Sequence, residues 1–575
     1  MSYALERFTA EVQQAIAATG KIAATLIETT TPKANIPTDL AFPAFKAAKE
    51  LGLNAPQLAQ NLAAAIVLPP ESLIGSVTAA GPFLNFTMHA ERLAEAVLHE
   101  VVEAGEHYGQ QADGAGKTVV VDYSAPNIAK RMHVGHIRST IIGQALVNIY
   151  RGLGYRVAGD NHLGDWGKQF GVVLASIARE GRPELAGEAA LAELEAMYTR
   201  YASAMKDDPA LDEEAQRWSL ALEQGDPHAR ELWQWSVDMT LRANQRNYDR
   251  LGVHIDHAYG ESFYEHMLPG VIQEALDKGV AYRDEKGAVV VENLDSLPTF
   301  LLQRSDGGTL YMTRDVATVL FRLKEFSPAR LLYVIGEPQS LHMRQLFALM
   351  RAMGHAKDIE LMHIVFGTVF DTSGSALSTR RGNMIYLEVL LDEAVTRARA
   401  EVEDKSGELP EDEKQAVAEA VGVGAVIYND LYQDPKRNIT LDWDRMLARE
   451  GNSATYLQYT YARCKSILRR AASEQTAALE ASPALLIHPS EQRLIKHLAR
   501  LPEALREAGA RYSPFVIAEW CYTTAREFGV FFEQCPVLKA ESGELRAARL
   551  ALVAATAQAL KNGLSLLGIT APERM

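Results

Sequence analysis

The tightest constraint on the chain is a junction. An apolar, β-branched run at 118–121 gives way to the loop Ser124-Ala-Pro-Asn-Ile-Ala-Lys-Arg-Met-His-Val-Gly-His136, and residues 137–153 then repeat apolar side chains at helical spacing. With a further strand-like segment at 155–159, the order strand, loop, helix, strand predicts a right-handed βαβ unit in a parallel sheet. Ligands on such sheets collect at the carboxyl ends of the strands, where this loop falls. A helix N-terminus there presents unpaired N–H groups and the positive end of a dipole, which suits phosphate. His133 and His136 are three apart, on one face of the first turn. Gly135 between them lets a ligand approach the backbone. By residue type alone, the quartet suits a nucleotide site or an ordinary strand–turn–helix with two surface histidines.

At 575 residues the chain exceeds one core and should form several domains. Residues 1–112 read as a small α+β domain: helical spacing at Leu5, Phe8, Val12 and Ile16, strand-like segments near 63–68 and 83–88, and a helix near 93–102. The run Asp113-Gly-Ala-Gly-Lys117 reads as a linker. Residues 113–387 read as a Rossmann-type parallel-sheet domain. Its sheet resumes at 288–291, 329–335 and 362–369 after an Ala-, Glu- and Leu-rich helical insertion at about 172–285. Residues 388–575 read as an all-α bundle, separable from about 450 onward. Within it, Val421-Gly-Val-Gly-Ala-Val-Ile427 lacks the third glycine and the preceding strand of a dinucleotide fingerprint, which favours close helix packing. The fold class is therefore α/β, flanked by a small α+β module and a helical bundle.

Composition narrows the function. A net charge of −15 argues against nonspecific coating of nucleic acid. Residues 451–515 nevertheless carry nine Lys/Arg against five Asp/Glu, compatible with a local RNA contact or with a solvated helical face. Cys464, Cys521 and Cys535 lack metal-ligand spacing, so neither a disulfide framework nor a structural metal is expected. No apolar run is long enough for a membrane span, and Met1-Ser-Tyr-Ala-Leu-Glu-Arg7 lacks the pattern of a signal peptide. A reducing cytoplasm is the expected compartment.

The flanks of the histidine quartet carry a family signal. His133-Val-Gly-His136 resembles the "HIGH" signature of class I aminoacyl-tRNA synthetases. The longer string from Asp122 to Thr140, and Asn161-His-Leu-Gly-Asp-Trp-Gly-Lys-Gln-Phe-Gly171, are similar to the arginyl branch of that family. So are 436–463 and the ending Gly563-Leu-Ser-Leu-Leu-Gly-Ile-Thr-Ala-Pro-Glu-Arg-Met575. The resemblance covers nearly the whole chain and is weakest over 1–70 and 172–240. It implies ATP-dependent activation of L-arginine and its transfer to the 3′ end of tRNA(Arg) by a monomer. Magnesium accompanies ATP. It also implies an N-terminal contact to the tRNA elbow and anticodon reading by the helical bundle.

The same resemblance assigns residues. His133, Gly135, His136 and Ser378 bind ATP. The stretch Ala376-Leu-Ser-Thr-Arg-Arg-Gly-Asn383 is similar to the family's mobile triphosphate loop, with Ala376 where a lysine usually stands. Lys130, just before the quartet, is the residue expected to compensate, and Arg380 and Arg381 are the alternative cations. Ser373-Gly-Ser375 supplies flexibility for closure. A substrate guanidinium has five donors in a rigid fork and is best met by carboxylates. Tyr311, Asp315, Glu261 and Gln339 match that pocket, with Ser124 and Asn127 at the amino-acid end and Asp122 close by. Singly, each suits a plainer role: Tyr311 and Asp315 a helix-face pair, Glu261 a first-turn carboxylate. Tyr456, Tyr459, Tyr461, Phe532 and Met575 are the candidates for stacking on tRNA, or for helix core. Two other readings remain at this point. A cysteinyl-type enzyme would want zinc-binding thiolates, which are lacking. A catalytically weak tRNA-binding paralogue is suggested by Ala376 and opposed by the intact histidines.

Overall fold

The computed structural model describes residues 2–33, 36–377, 384–405, 409–474 and 481–575. The amino-terminal module has strands β1 (Leu40–Pro43), β2 (Ile74–Ala80) and β3 (Phe83–Met88) in an antiparallel sheet, covered by the helices Ala4–Ala18 and Ala55–Ala65. Phe8, Val12, Ile16, Phe42, Leu62 and Phe86 fill its core. The expected strand near 63–68 is absent. Ala63 lies in the Ala55–Ala65 helix, capped by the Asn54 side chain, and the second hairpin strand is β2. Alanine runs favour helix, and β2 forms because it pairs with β3.

The central sheet is parallel. Strands β4 (Thr118–Asp122), β5 (Arg156–Asp160), β9 (Arg330–Gly336) and β10 (Glu360–Phe366) lie in the order β10-β9-β4-β5. Every residue of β4 is buried, as expected for a strand covered on both faces. Val119 and Val121 pack on the side of the Val134–Gly152 helix, and Val120 packs on the opposite side with the helices Leu268–Asp277, Tyr311–Phe326 and Ser340–Ala352. The chain leaves β4 toward β5 on one side and β9 lies on the other, so the topological switch is at the carboxyl end of β4. There Asp122 pairs across to Asp160 and Tyr333.

Residues 288–291 do not rejoin this sheet. Val289–Val291 (β7) pairs antiparallel with Tyr282–Arg283 (β6) and Phe300–Gln303 (β8) in a separate small sheet. A β-branched triplet fits either sheet, and its hairpin partners decided the matter. Between β5 and β6 lie the helices Gln169–Glu180, Gly187–Ala204, Pro209–Glu223 and Pro227–Leu251.

The carboxy-terminal bundle comprises Glu411–Leu431, Ala454–Ser473, Pro489–Leu498, Leu501–Arg511, Phe515–Gln534 and Gly543–Leu566, among others. It packs directly on the central domain. Leu457, Phe528 and Leu560 share one continuous core with Ile141 and Leu146 of the Val134–Gly152 helix and with Val97 of the amino-terminal part. Cutting near 450 would strip that helix of its apolar cover. Gly422 and Gly424 are packing glycines: a Cβ would lie 2.7 Å from the Ala394 backbone at the first and 2.8 Å from Gln458 at the second. All three cysteines are buried and unpaired, and no helix among the described residues is long and apolar enough to cross a membrane.

Candidate active site

Between β4 and the Val134–Gly152 helix, the loop adopts left-handed backbone at three non-glycine residues: Ser124 (φ 74°), Ala125 (φ 48°) and Ala129 (φ 61°). Such conformations persist when the surroundings over-determine them. Here the Ser124 N–H donates to Ser139 Oγ (3.0 Å), the Ala125 N–H to Asn161 Oδ1 (2.9 Å) and the Ala129 N–H to Thr240 Oγ1 of an insertion helix (3.1 Å).

His133 caps the helix. Its Nδ1 accepts from the Gly135 N–H (3.1 Å), and His136 Nδ1 accepts from the His133 N–H (3.2 Å). The rings lie 4.0 Å apart between centroids. Burial lowers both imidazole pKa values, and His136 falls to about 3, with His133 and Lys130 adding to the effect there. Neutral rings whose Nδ1 atoms accept must carry their protons on Nε2. The pair therefore offers two uncharged N–H donors at a helix N-terminus. Gly135 has a further reason to be glycine: a Cβ would lie 2.8 Å from His133 Cε1.

Lys130 Nζ lies 5.3 Å from the centre of the Tyr198 ring, on the insertion helix Gly187–Ala204. The same helix supplies Glu195, which takes the Arg131 Nε–H at 2.9 Å, while the Arg131 guanidinium covers Tyr386 at 3.5 Å. Tyr386 bridges His133, and the Val134 N–H donates to Ile385 O (3.0 Å). The return leg of the 376–383 stretch is thus tied to the histidine turn. On the entry side, Asp371 Oδ1 accepts from the N–H groups of Ser373 and Ser375, so Ser373-Gly-Ser375 forms a pinned turn. Ser378, Arg380 and Arg381 lie outside the described residues.

A cavity of about 480 Å³ opens at the carboxyl ends of β4 and β9. Asp122, Asn127, Glu261, Tyr311, Asp315 and Gln339 all line it. Tyr311 and Asp315 occupy successive turns at the start of the Tyr311–Phe326 helix, and both line the cavity. Glu261 is fixed by the neighbouring loop: its N–H donates to Leu163 O (3.0 Å), and Asp165 accepts from Ser262 N–H (2.9 Å) and Oγ–H (2.6 Å).

The carboxylates are not equivalent. Asp122 is paired inside the chain: Arg322, fully buried, lies 2.7 Å from both Asp122 and Asp160. Burial raises the Asp122 pKa and Arg322 opposes it. Glu261 is buried with Arg314 only at 3.7 Å, and its Oε2 has no hydrogen-bond partner. Burial raises its pKa to about 7, Arg314 opposes this, and the charge of Asp315 adds to it. Asp315 is held by His342 Nε2. Ser124 does not face the cavity. Its hydroxyl is engaged by Tyr248 (2.8 Å) and Thr140 (2.9 Å). Sequence reasoning missed His162, His342 and Tyr333 as lining residues. His162 stands within the motif string Asn161–Gly171 quoted above, so its position was visible although its role was not.

On the bundle, Arg463 places its guanidinium 5.7 Å from the exposed Tyr459 ring and 4.6 Å from Phe532. Tyr456 and Met575 are half-buried, whereas Tyr461 is buried in the core and presents no stacking face.

Three family models match the chain: "tRNA synthetases class I (R), catalytic domain" over 97–443, "Arginyl tRNA synthetase N terminal domain" over 6–88 and "DALR anticodon binding domain" over 457–575. A curated arginine–tRNA ligase of Chloroflexus aggregans is 70% identical over 575 residues, covering 100% of both chains. One from Halothermothrix orenii is 37% identical over 93% of this chain and 94% of its own. The solved arginyl-tRNA synthetase of Thermus thermophilus superposes with a TM-score of 0.81 at 25% identity, covering 98% of this chain and 99% of that one.

Proposed function

We propose a division of labour among these residues from one premise: the chain belongs to the arginyl-tRNA synthetase family of the class I tRNA synthetases. Its reaction is that of an arginine–tRNA ligase. The arginine carboxylate attacks the α-phosphorus of ATP, pyrophosphate leaves, and the terminal hydroxyl of tRNA(Arg) takes the arginyl group from the adenylate. The observation that carries the reading is the carboxylate-lined cavity beside the two-histidine helix turn. Glu261 and Asp315 take the guanidinium, with Tyr311 and Gln339 at the rim. Asn127 serves the amino-acid end. Asp122 and Ser124 brace the loop from inside, through Arg322 and through Tyr248 and Thr140. His133 and His136 donate Nε2–H to phosphate, which stabilises charge as it develops in the transition state. Among the described residues no group of three or more His, Cys, Asp or Glu side chains gathers for a metal. Magnesium would accompany ATP on its phosphates.

Three modules divide the tRNA. Residues 1–112 meet the elbow, 113–387 carry the chemistry, and 388–575 read the anticodon, with Tyr456, Tyr459, Phe532 and Met575 as contacts. The Arg463 platform over Tyr459 and Phe532 supports stacking there. The family resemblance favours action as a monomer. Three buried thiols suit a reducing cytoplasm. Arginine-dependent pyrophosphate exchange, with and without tRNA, tests the assignment. Exchange driven by arginine supports it, and exchange indifferent to arginine or driven by cysteine sinks it.

Two predictions arise from the geometry. Lys130 supplies the charge that Ala376 lacks. Its charge helps to lower both imidazole pKa values, and its flexible stem can turn away from Tyr198 toward the helix N-terminus where the histidines donate. Lys130→Ala should slow adenylate formation by ~10²-fold, the scale for one preorganised donor, and Ala376→Lys should restore part of it. An unchanged kcat in Lys130→Ala shifts the role to Arg380 or Arg381. The second concerns pH. The Glu261 pKa of about 7 means that the ionised form is lost as pH falls through that value. The substrate guanidinium stays charged throughout. The arginine KM should rise by about fivefold from pH 7 to pH 6, with the dependence saturating above pH 8. A flat profile in Glu261→Gln identifies the group, and the same slope in that variant excludes it.

A further inference from the structure

Arg138 stands two residues beyond His136, and its side chain is 1% exposed. Its guanidinium grips both oxygens of Asp430, through Nε at 3.0 and 3.1 Å and through Nη2 at 2.8 Å. It also donates to Arg437 O (2.8 Å) and Pro435 O (3.1 Å). Asp430 lies at the end of the Glu411–Leu431 helix, so this one side chain fastens the histidine-bearing helix to the helical region and to the turn that follows it.

That turn holds the root of the triphosphate loop. The Gly367 N–H donates to Pro435 O (3.1 Å), the Thr368 N–H to Asn438 Oδ1 (2.9 Å) and the Ile439 N–H to Thr368 O (3.0 Å). Gly367 admits no side chain, because a Cβ would lie 2.7 Å from Arg437 O. The chain then passes through Val369–Phe370, which pairs in parallel with Ile439–Thr440, and enters the loop. Its return leg bridges His133 through Tyr386. The described links of this circuit run from the histidine turn through Arg138 and turn 435–437 to Val369–Phe370, and from Tyr386 back to the histidine turn.

We propose that Arg138 is a positioning residue for the first step of the reaction. It sets the separation between the histidine donors and the Val369–Phe370 strand that pairs with Ile439–Thr440, and it couples both to the Glu411–Leu431 helix. This rests on the reading of the site given above. A buried ion pair is a poor device for stability alone, because apolar replacements of similar volume often hold a fold as well. What the guanidinium adds is a rigid planar fork that fixes one carboxylate and two carbonyls at set angles.

The test exploits that difference. Arg138→Met combined with Asp430→Leu removes the fork and leaves no unpaired charge. Folding is followed by thermal melting, and arginine-dependent pyrophosphate exchange is measured in the full chain with tRNA present. The folded double variant should lose about tenfold to 10²-fold in kcat, the scale for a small misplacement of reacting groups. Its KM for arginine should stay near the parental value, because the arginine pocket lies outside the circuit. Arg138→Lys keeps the charge against Asp430 but cannot span to both carbonyls, and should fall between parent and double variant. A purely structural role lowers the melting temperature and leaves kcat per folded molecule unchanged. A folded double variant with parental kcat therefore overturns the proposal. If the double variant does not fold, Arg138→Lys decides, and parental kcat there overturns it. Failure of the parent chain itself to exchange would count against the assigned reaction and not against Arg138.

Discussion

Citrulline should be activated at least ~10⁴-fold less efficiently than arginine, without any editing step. It matches arginine in length and in its planar end group, so shape alone discriminates little. The difference is electrostatic. Citrulline is neutral and turns a carbonyl oxygen toward groups that require donors. Of the cavity's carboxylates, Asp122 already has Arg322, but Glu261 has an oxygen with no partner and Asp315 has only His342. Arginine satisfies both through charge-assisted bonds. Citrulline would leave one carboxylate buried against a carbonyl, and the desolvation of that group is then uncompensated. The measurement is the ratio of kcat/KM values in tRNA-dependent pyrophosphate exchange. A ratio within about tenfold would mean that the pocket selects by shape, and the charged-pocket account would fail.

The backbone frame of this site was legible because it is local. A β-branched run, a loop and a helical repeat specify a strand–loop–helix unit wherever they occur, and the two histidines fall on its first turn. The members of the pocket were legible only through motif strings, since Asp122, Glu261, Asp315 and Gln339 come from four separated segments that the sheet brings together. Their partners were not legible at all. Nothing in sequence spacing says that Arg322 lies between Asp122 and Asp160, or that the Ser124 hydroxyl turns inward to Tyr248. Both facts depend on how helices from distant parts of the chain pack. The same holds for Val289–Val291, whose composition suits either sheet and whose hairpin neighbours claimed it. The packing of the bundle on the central domain was hidden for a related reason. The apolar face of the Val134–Gly152 helix has no label saying which module covers it, and that module is the bundle.

Asp315→Asn should raise the arginine KM by at least about 10²-fold while leaving ATP binding intact. Breaking a buried charge pair costs about 3–5 kcal/mol, and about 1.4 kcal/mol is tenfold. The low end applies because the Asp315 side chain is 27% exposed before arginine seals the pocket. The variant should fold, since an amide oxygen can still accept from His342 Nε2 and the helix start is otherwise unchanged. It also carries a second, opposite signature. The charge of Asp315 helps to hold the Glu261 pKa up, alongside burial. Its removal should let Glu261 ionise at lower pH, so the midpoint of the KM profile should move below about 7 even as affinity falls. A lost charge partner and a shifted neighbour are separate readouts of one placement. A raised KM with an unmoved midpoint would place Asp315 in contact with arginine but out of electrical reach of Glu261. A parental KM would remove it from the pocket altogether.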